Sequence, residues 1–420
     1  MILDFSTTRL RASTIAIEDP GPLPQYLPHG QTAAAFLRRG DGFVALGEVA
    51  RFETDYADAA DVWWGEVAAS IDHDTELPGE YGIGPLAVGS FTFDPERSKQ
   101  SSVLIVPEII IGRRYGKTWL TRVGDENLNA PKPQPGQPPS PPTGLTLVSG
   151  SASQHDWTKN VSTVVDLIKA GEARKVVLAR DLIATAEEPI DERYLVARLA
   201  ELYPKCWTYL VDQTLGATPE LLVRRQGALA TSRVLAGTVS IDPDVADQVQ
   251  RAATLARSEK DLAEHQFAVE SVAESLAPFC SAMNVPESAS VLALPNVLHL
   301  ATDITGVCEP EASALALAAA LHPSAAVCGT PMHSALTIIN DHETLDRGRY
   351  AGPIGWVDTA GDGEWMIALR GGQLTAEDPT SIQLFAGAGL VAASQPEAEL
   401  AETRAKFVPM LQALGLEPTP

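Results

Sequence analysis

Apolar and polar positions change period several times along this chain, and each change marks an element. In "DWTKNVSTVVDLIKAGE" Val161, Val164, Val165 and Ile168 recur at helical spacing, with Gly171 where a helix would stop. "RKVVLARDLIATA" takes the strand pattern, and "IDERYLVARLAELYP" returns to a helical stripe closed by Pro204. "CWTYLVDQ" and "ELLVRRQGALATSRVLAGTV" read as successive antiparallel strands with a tight turn at Gln226–Gly227. Residues 258–279 predict one long helix and "NVLHLATDITGVC" a strand. "YAGPIGWVDTAGDGEWMIALRGG" predicts a hairpin turning at "AGDG". "SIQLFAGAGLVAAS" predicts a buried strand, and "PEAELAETRAKFVPMLQAL" an amphipathic helix opened by Pro396. Upstream, "GPLAVGSFTFD" and "SSVLIVPEIIIGRR" read as strands, the second a buried run rich in β-branched residues. Strands in groups with helices between them predict an α+β fold: a single large layered structure with antiparallel-rich sheets flanked by helices.

One segment breaks the pattern. "APKPQPGQPPSPPTG" (130–144) holds seven prolines and no apolar anchor, so it continues neither a helix nor a central strand. It separates residues 1–150 from a denser region, 151–420, as a linker or as a long surface loop of one fold. Composition narrows the partners. The 420 residues are 45% hydrophobic and 20% charged, a globular balance, and the net charge of −23 disfavours nucleic acid and anionic membrane surfaces. No apolar run approaches the ~20 residues of a membrane span, and the first residues lack a signal peptide's apolar stretch. Cys206, Cys280, Cys308 and Cys328 show neither metal-ligand nor disulfide-framework spacing, which suits reduced thiols in a cytoplasmic protein, monomer or homodimer.

Charge then matters locally, because an anionic substrate of so acidic a chain needs a cation of its own. "SEKDLAEHQFAVES" places Asp261 and Glu264 three apart on a helix, with small Ala268 and Ser271 further along; a solvated face would look the same. Glu399, Glu402 and Lys406 form a second such stripe. Two helices offering carboxylate pairs can hold a hard cation, and Mg²⁺ fits best since it keeps positions for water and an anion. Lys175 opens an apolar strand, either as an interior lysine or as an edge lysine reaching water. Glu220 follows Pro219 at a strand start; buried, its pKa would rise and suit it to donate a proton. "AGAGL" (386–390) lacks the dinucleotide fingerprint, and its glycines suit a close approach of backbone to a carboxylate.

"KVVLARDL", "TPELLVRR", "LAGT", "SEKDLAEH", "LHLATDITG", "LHPSAAVCGTP", "DRGRYAGPIGW", "WMIALR" and "FAGAGLVAASQPEAELAET" follow one another in an order that resembles the isochorismate synthases of the chorismate-utilising enzyme family. The resemblance covers about residues 155–410, and residues 1–150 match no motif, as expected of a variable N-terminal part of the chorismate-binding fold. It implies a substrate, the dianion chorismate, isomerised to isochorismate by water adding at C2 while the C4 hydroxyl leaves. It implies Lys175 as the base that activates water and Glu220 as the acid. It implies Glu264 and Glu402 as Mg²⁺ ligands with Asp261 and Glu399 in support. Tyr350, Arg370, Lys406 and the backbone at Gly387–Gly389 would hold carboxylates, with His299 and Thr302 on the strand lining the pocket.

Sister chemistries separate at three positions. Lysine at 175 favours water over ammonia as nucleophile. Ala236 before Gly237–Thr238 removes a nucleophilic lysine, and alanine at 326 replaces the threonine typical of the lyases. A salicylate synthase, or a lyase like anthranilate synthase component I, is the alternative. A metallohydrolase built on His299, His322, His333 and His342 lacks helical ligand spacing. A binding subunit without activity would be expected to have lost Lys175 or a carboxylate. His322 in "LHP" reads as a capping or packing residue.

Overall fold

Alternation within single strands builds the layers. In the Ala33–Arg38 strand, Ala33, Ala35 and Leu37 pack with helix residues such as Leu195, Leu199, Phe407 and Leu411. Ala34 and Phe36, pointing the other way, pack with Val88, Ile105, Ile354 and Trp356 of a second sheet. The second sheet's far side is covered in turn by Trp64, Val269, Leu276, Leu315 and Leu317 from three further helices. The result is helix, sheet, sheet, helix. The computed structural model describes residues 9–124, 128, 132–240, 248–293, 297–375 and 377–417, and the side chains of Thr238, Ser240, Gln248, Lys260, Glu264 and Val297 lie outside the described set. Among the described residues the strands form a 13-stranded and a 10-stranded sheet, nearly all antiparallel.

Both sheets mix strands from either side of the Pro-rich segment. Trp207–Val211 pairs with Ala33–Arg38, and Pro353–Asp358 with Leu86–Ser90. Residues 132–144 therefore run as a loop across one fold, held where Gly136 N–H donates to the Gln25 carbonyl at 2.9 Å. The run "SSVLIVPEIIIGRR" is two strands, not one. Pro107 lacks an N–H and ends Ser102–Val106, which belongs to the smaller sheet, while Ile109–Arg114 joins the larger.

Most other elements follow the pattern in the sequence. Helices span Gln154–Lys169, Glu192–Leu202, Glu259–Leu276 and Pro396–Leu414. Ser153, Asp191 and Ser258 cap the first three by accepting backbone N–H groups. Gly171 adopts φ 88°, the left-handed turn that ends the first. The long strands Lys175–Thr185 and Ser381–Leu390 pair over ten residues, with Val177 opposite Gly389 and Ala179 opposite Gly387. The four cysteines are free, three of them buried and Cys280 partly exposed. His322 closes the Ala314–Leu321 helix and donates from Nε2 to the Phe93 carbonyl at 2.9 Å, a packing role. No helix among the described residues is long and apolar enough to cross a membrane.

Candidate active site

Polar side chains from both long strands, their flanking loops and two helices line one cavity of about 190 Å³. Lys175 enters from the start of its strand, and Glu220 from the loop before Leu221–Gln226. Glu402 and Lys406 sit one helical turn apart, so Lys406 Nζ donates to Glu402 Oε1 at 2.6 Å and reaches the Gly387 carbonyl at 2.7 Å. His299, Ala326, Tyr350, Arg370, Gly387 and Gly389 complete the wall, with Asp261 and Glu399. Thr302 does not line the cavity. Its hydroxyl lies behind the wall, 2.7 Å from His265 Nε2, because successive residues of a strand point to opposite sides. Asp261, Glu399 and Glu402 share the cavity, but no three metal-ligating side chains converge among the described residues. The Glu264 side chain, expected as their partner, lies outside those residues.

The glycines of "AGAGL" make room for side chains. A Cβ on Gly389 would stand 3.0 Å from Lys175 Cε, and one on Gly387 would stand 3.2 Å from the Tyr350 hydroxyl. Tyr350 stacks on Phe385 with ring centroids 5.0 Å apart. Arg370 adopts φ 52°, a left-handed backbone that a non-glycine residue tolerates only when its surroundings fix it.

Charge is unevenly distributed in this space. Burial pushes the Glu220 carboxyl up to about 7, against the pull of Lys175, Lys406 and Arg370. Burial also works against ionised Glu402, yet Lys406, Arg370 and Lys175 overcome it and hold that carboxyl below its ordinary value. Two carboxyls in one cavity are thus driven apart, one toward the proton and one away from it. Burial, with Arg370 and Lys406, lowers His299 to about 3, so its imidazole is neutral at ordinary pH. Burial raises Tyr350 to about 12 and keeps its hydroxyl a donor.

Sequence reasoning misses the residues that hold this wall in place. Arg347 and Glu343 form a buried ion pair at 2.6 Å. Arg347 also donates to the Val177 and Val327 carbonyls, and Glu343 accepts from the Ala179 N–H. One pair thereby ties the Lys175 strand to the loop that presents Ala326. His265 donates from Nδ1 to the Ala236 carbonyl at 3.2 Å and, in the neutral ring, accepts from Thr302. It fastens the Asp261 helix to two strands of the smaller sheet.

A larger cavity of about 720 Å³ lies under the Pro-rich segment, beside Arg38, Arg113, Arg193 and Cys206. It offers no acid facing a base, and burial pushes the Cys206 thiol up to about 11, which leaves it a poor nucleophile. The chemistry belongs to the smaller cavity.

The family model described as chorismate binding enzyme matches residues 31–415. The chain belongs to the chorismate-binding enzyme family. The match reaches well upstream of the polar motifs, since the strands before residue 150 lie in the same two sheets. Isochorismate synthase DhbC of Bacillus subtilis is 41% identical over 274 residues, which are 62% of this chain and 68% of that protein. Isochorismate synthase EntC of Escherichia coli is 31% identical over 390 residues, 91% of this chain and 94% of that one. The solved structure of MenF, the menaquinone-specific isochorismate synthase from Escherichia coli, superposes with a TM-score of 0.78 at 26% identity, covering 96% of this chain and 94% of that one. Within the chorismate-binding enzymes, then, the named relatives are isochorismate synthases.

Proposed function

We propose that this chorismate-binding enzyme is an isochorismate synthase, an isomerase that moves a hydroxyl from C4 of chorismate to C2. The observation that carries the reading is the pairing of Lys175 with Glu220, a buried carboxyl with a pKa of about 7, in one cavity. A carboxyl so placed is half protonated near neutrality, where a general acid works best. Lys175 takes a proton from water as its oxygen bonds to C2. The ring double bonds shift, the C4–O bond breaks, and Glu220 gives its proton to the departing hydroxyl. Water is consumed and water is released, so the reaction balances as an isomerisation and runs both ways. Arg370, Lys406 and the Tyr350 hydroxyl suit the two carboxylates of the substrate, and neutral His299 adds a polar contact without charge.

Glu264 and Glu402, supported by Asp261 and Glu399, are the donors we assign to Mg²⁺. The donor set is oxygen only, and Glu402 is held ionised by its cationic neighbours, as a hard cation requires. When bound, the ion supplies positive charge that offsets the carboxylates and grips an anionic ring substituent. Excess chelator is expected to abolish turnover and Mg²⁺ to restore it; full activity in chelator would remove the assignment.

The deciding experiment is incubation with chorismate and Mg²⁺ followed by chromatography, with lactate dehydrogenase reporting pyruvate. Chorismate and isochorismate are expected to reach the same ratio from either side, with little pyruvate. Stoichiometric pyruvate with salicylate would make the chain a salicylate synthase instead. Alanine at 326, lacking the hydroxyl of threonine, is the feature that favours slow elimination.

A further inference from the structure

Helix Pro396–Leu414 has a second cavity on the side opposite Glu402. It encloses about 400 Å³ between that helix and the strands Thr146–Ser149 and Lys175–Thr185. Leu147, Leu182, Phe407, Leu411 and Leu416 give it an apolar wall, and Arg180 and Arg404 supply its positive charge. Glu417, exposed, is the one carboxylate among its lining residues.

Arg180 is the unusual member. It is only 2% exposed, yet no carboxylate among the described residues pairs with it. Nη1 donates to Thr403 Oγ1 at 3.2 Å, and the guanidinium lies over Phe407 at 5.3 Å. Nε has no acceptor, and none is found for Nη2 among the described residues. Nε is closed off from the cavity, which leaves Nη2 as the guanidinium nitrogen able to donate to a carboxylate there. A buried guanidinium without a counter-ion is costly, and methionine of similar length would fill the space at lower cost. Neighbouring Asp181 does not serve as the counter-ion; its oxygens accept from Ser151 and Gln383 instead. Arg404, at the rim, donates to Gln154 and adds a second cation rather than relief.

We propose that this cavity is a binding site for a small monocarboxylate with an apolar body, its carboxylate accepting from Arg180 Nη2 and its body against Leu147, Leu182 and Phe407. The site is separate from the reaction cavity but shares its framework. Arg180 stands on the strand that Lys175 opens, and its partner Thr403 follows Glu402 on the helix.

Calorimetric titration of the full chain with benzoate, and with benzamide as the uncharged isostere, tests the site. Saturable benzoate binding is expected, with benzamide weaker by about tenfold or more, the loss that a charge-assisted hydrogen bond represents. Arg370→Gln, in the reaction cavity, should leave benzoate binding intact. Arg180→Met and Arg404→Gln should each weaken it. Should Arg180→Met fail to fold, Leu147→Trp fills the cavity without removing either guanidinium and is expected to abolish binding. Equal binding of benzamide, no saturable binding of benzoate, or binding lost in Arg370→Gln and kept in Arg180→Met would each overturn the proposal.

Discussion

Lys175→Ala is expected to lower kcat for isochorismate formation by about 10²–10⁴-fold, the usual contribution of a positioned general base, while KM changes little. The split follows from where the side chain stands. Arg370, Lys406 and Tyr350 remain to hold the carboxylates, so the substrate still binds, and what disappears is the group that takes a proton from water. Steady-state kinetics in both directions would show it, since a reversible isomerisation must lose the same factor each way. Retention of wild-type kcat would reduce Lys175 to a strand lysine resting on Gly389.

Glu220→Gln is expected to cost a comparable factor and, in addition, to reshape the pH dependence. The acid must carry its proton, so wild-type turnover should fall as pH rises through about 7, and the glutamine variant should lose that limb from its small residual activity. The effect of the substitution on stability should be opposite in sign to its effect on activity. Burial raises the folded pKa above the unfolded value, so the folded chain holds this proton more tightly, and stability is lost as pH climbs from the ordinary carboxyl range through about 7. Glutamine removes that cost. Relative to wild type its Tm should be higher at alkaline pH, with the gap closing as pH falls to the ordinary carboxyl range, and the largest gain is on the order of 3 kcal/mol. An unchanged pH profile would rule Glu220 out as the acid.

The sequence reveals the elements whose periodicity is set by burial on one face. The Lys175 strand and the Glu402 helix are of this kind, and their charged residues stand out because everything around them is apolar. Thr214–Thr218 is invisible by the same test. "TLGAT" carries no apolar run, and the hairpin that leads into it turns at Asp212 (φ 46°) and Gln213 (φ 69°), where a glycine or asparagine would have announced the turn. Arg51 and Arg349 both pair with Asp212 and hold that backbone, a compensation that only the folded chain displays. Pro107 is readable as a break but not as a corner between two sheets. In the site, Glu343 and Arg347 sit among other polar residues in "NDHETLDRGRY", so nothing in their spacing marks them as buried. Their burial comes from Val177, Ala179 and Val327, all distant in sequence. Thr302 fails for a different reason. A motif places it on the right strand, but one step along a strand exchanges the pocket side for the reverse.

The pairing of Lys175–Thr185 with Ser381–Leu390 also has a consequence for how the protein is made. On the ribosome, the first of these strands emerges early, and Thr146–Ser149 is already available for one edge. The other edge waits for a partner that follows after roughly 10–40 s of translation at ordinary rates. Throughout that interval a long, apolar strand presents unpaired backbone groups, which is the situation that recruits chaperones or invites pairing between nascent chains. Synonymous codon changes that slow elongation ahead of residue 381 would lengthen the wait and lower the yield of folded enzyme without altering a single side chain.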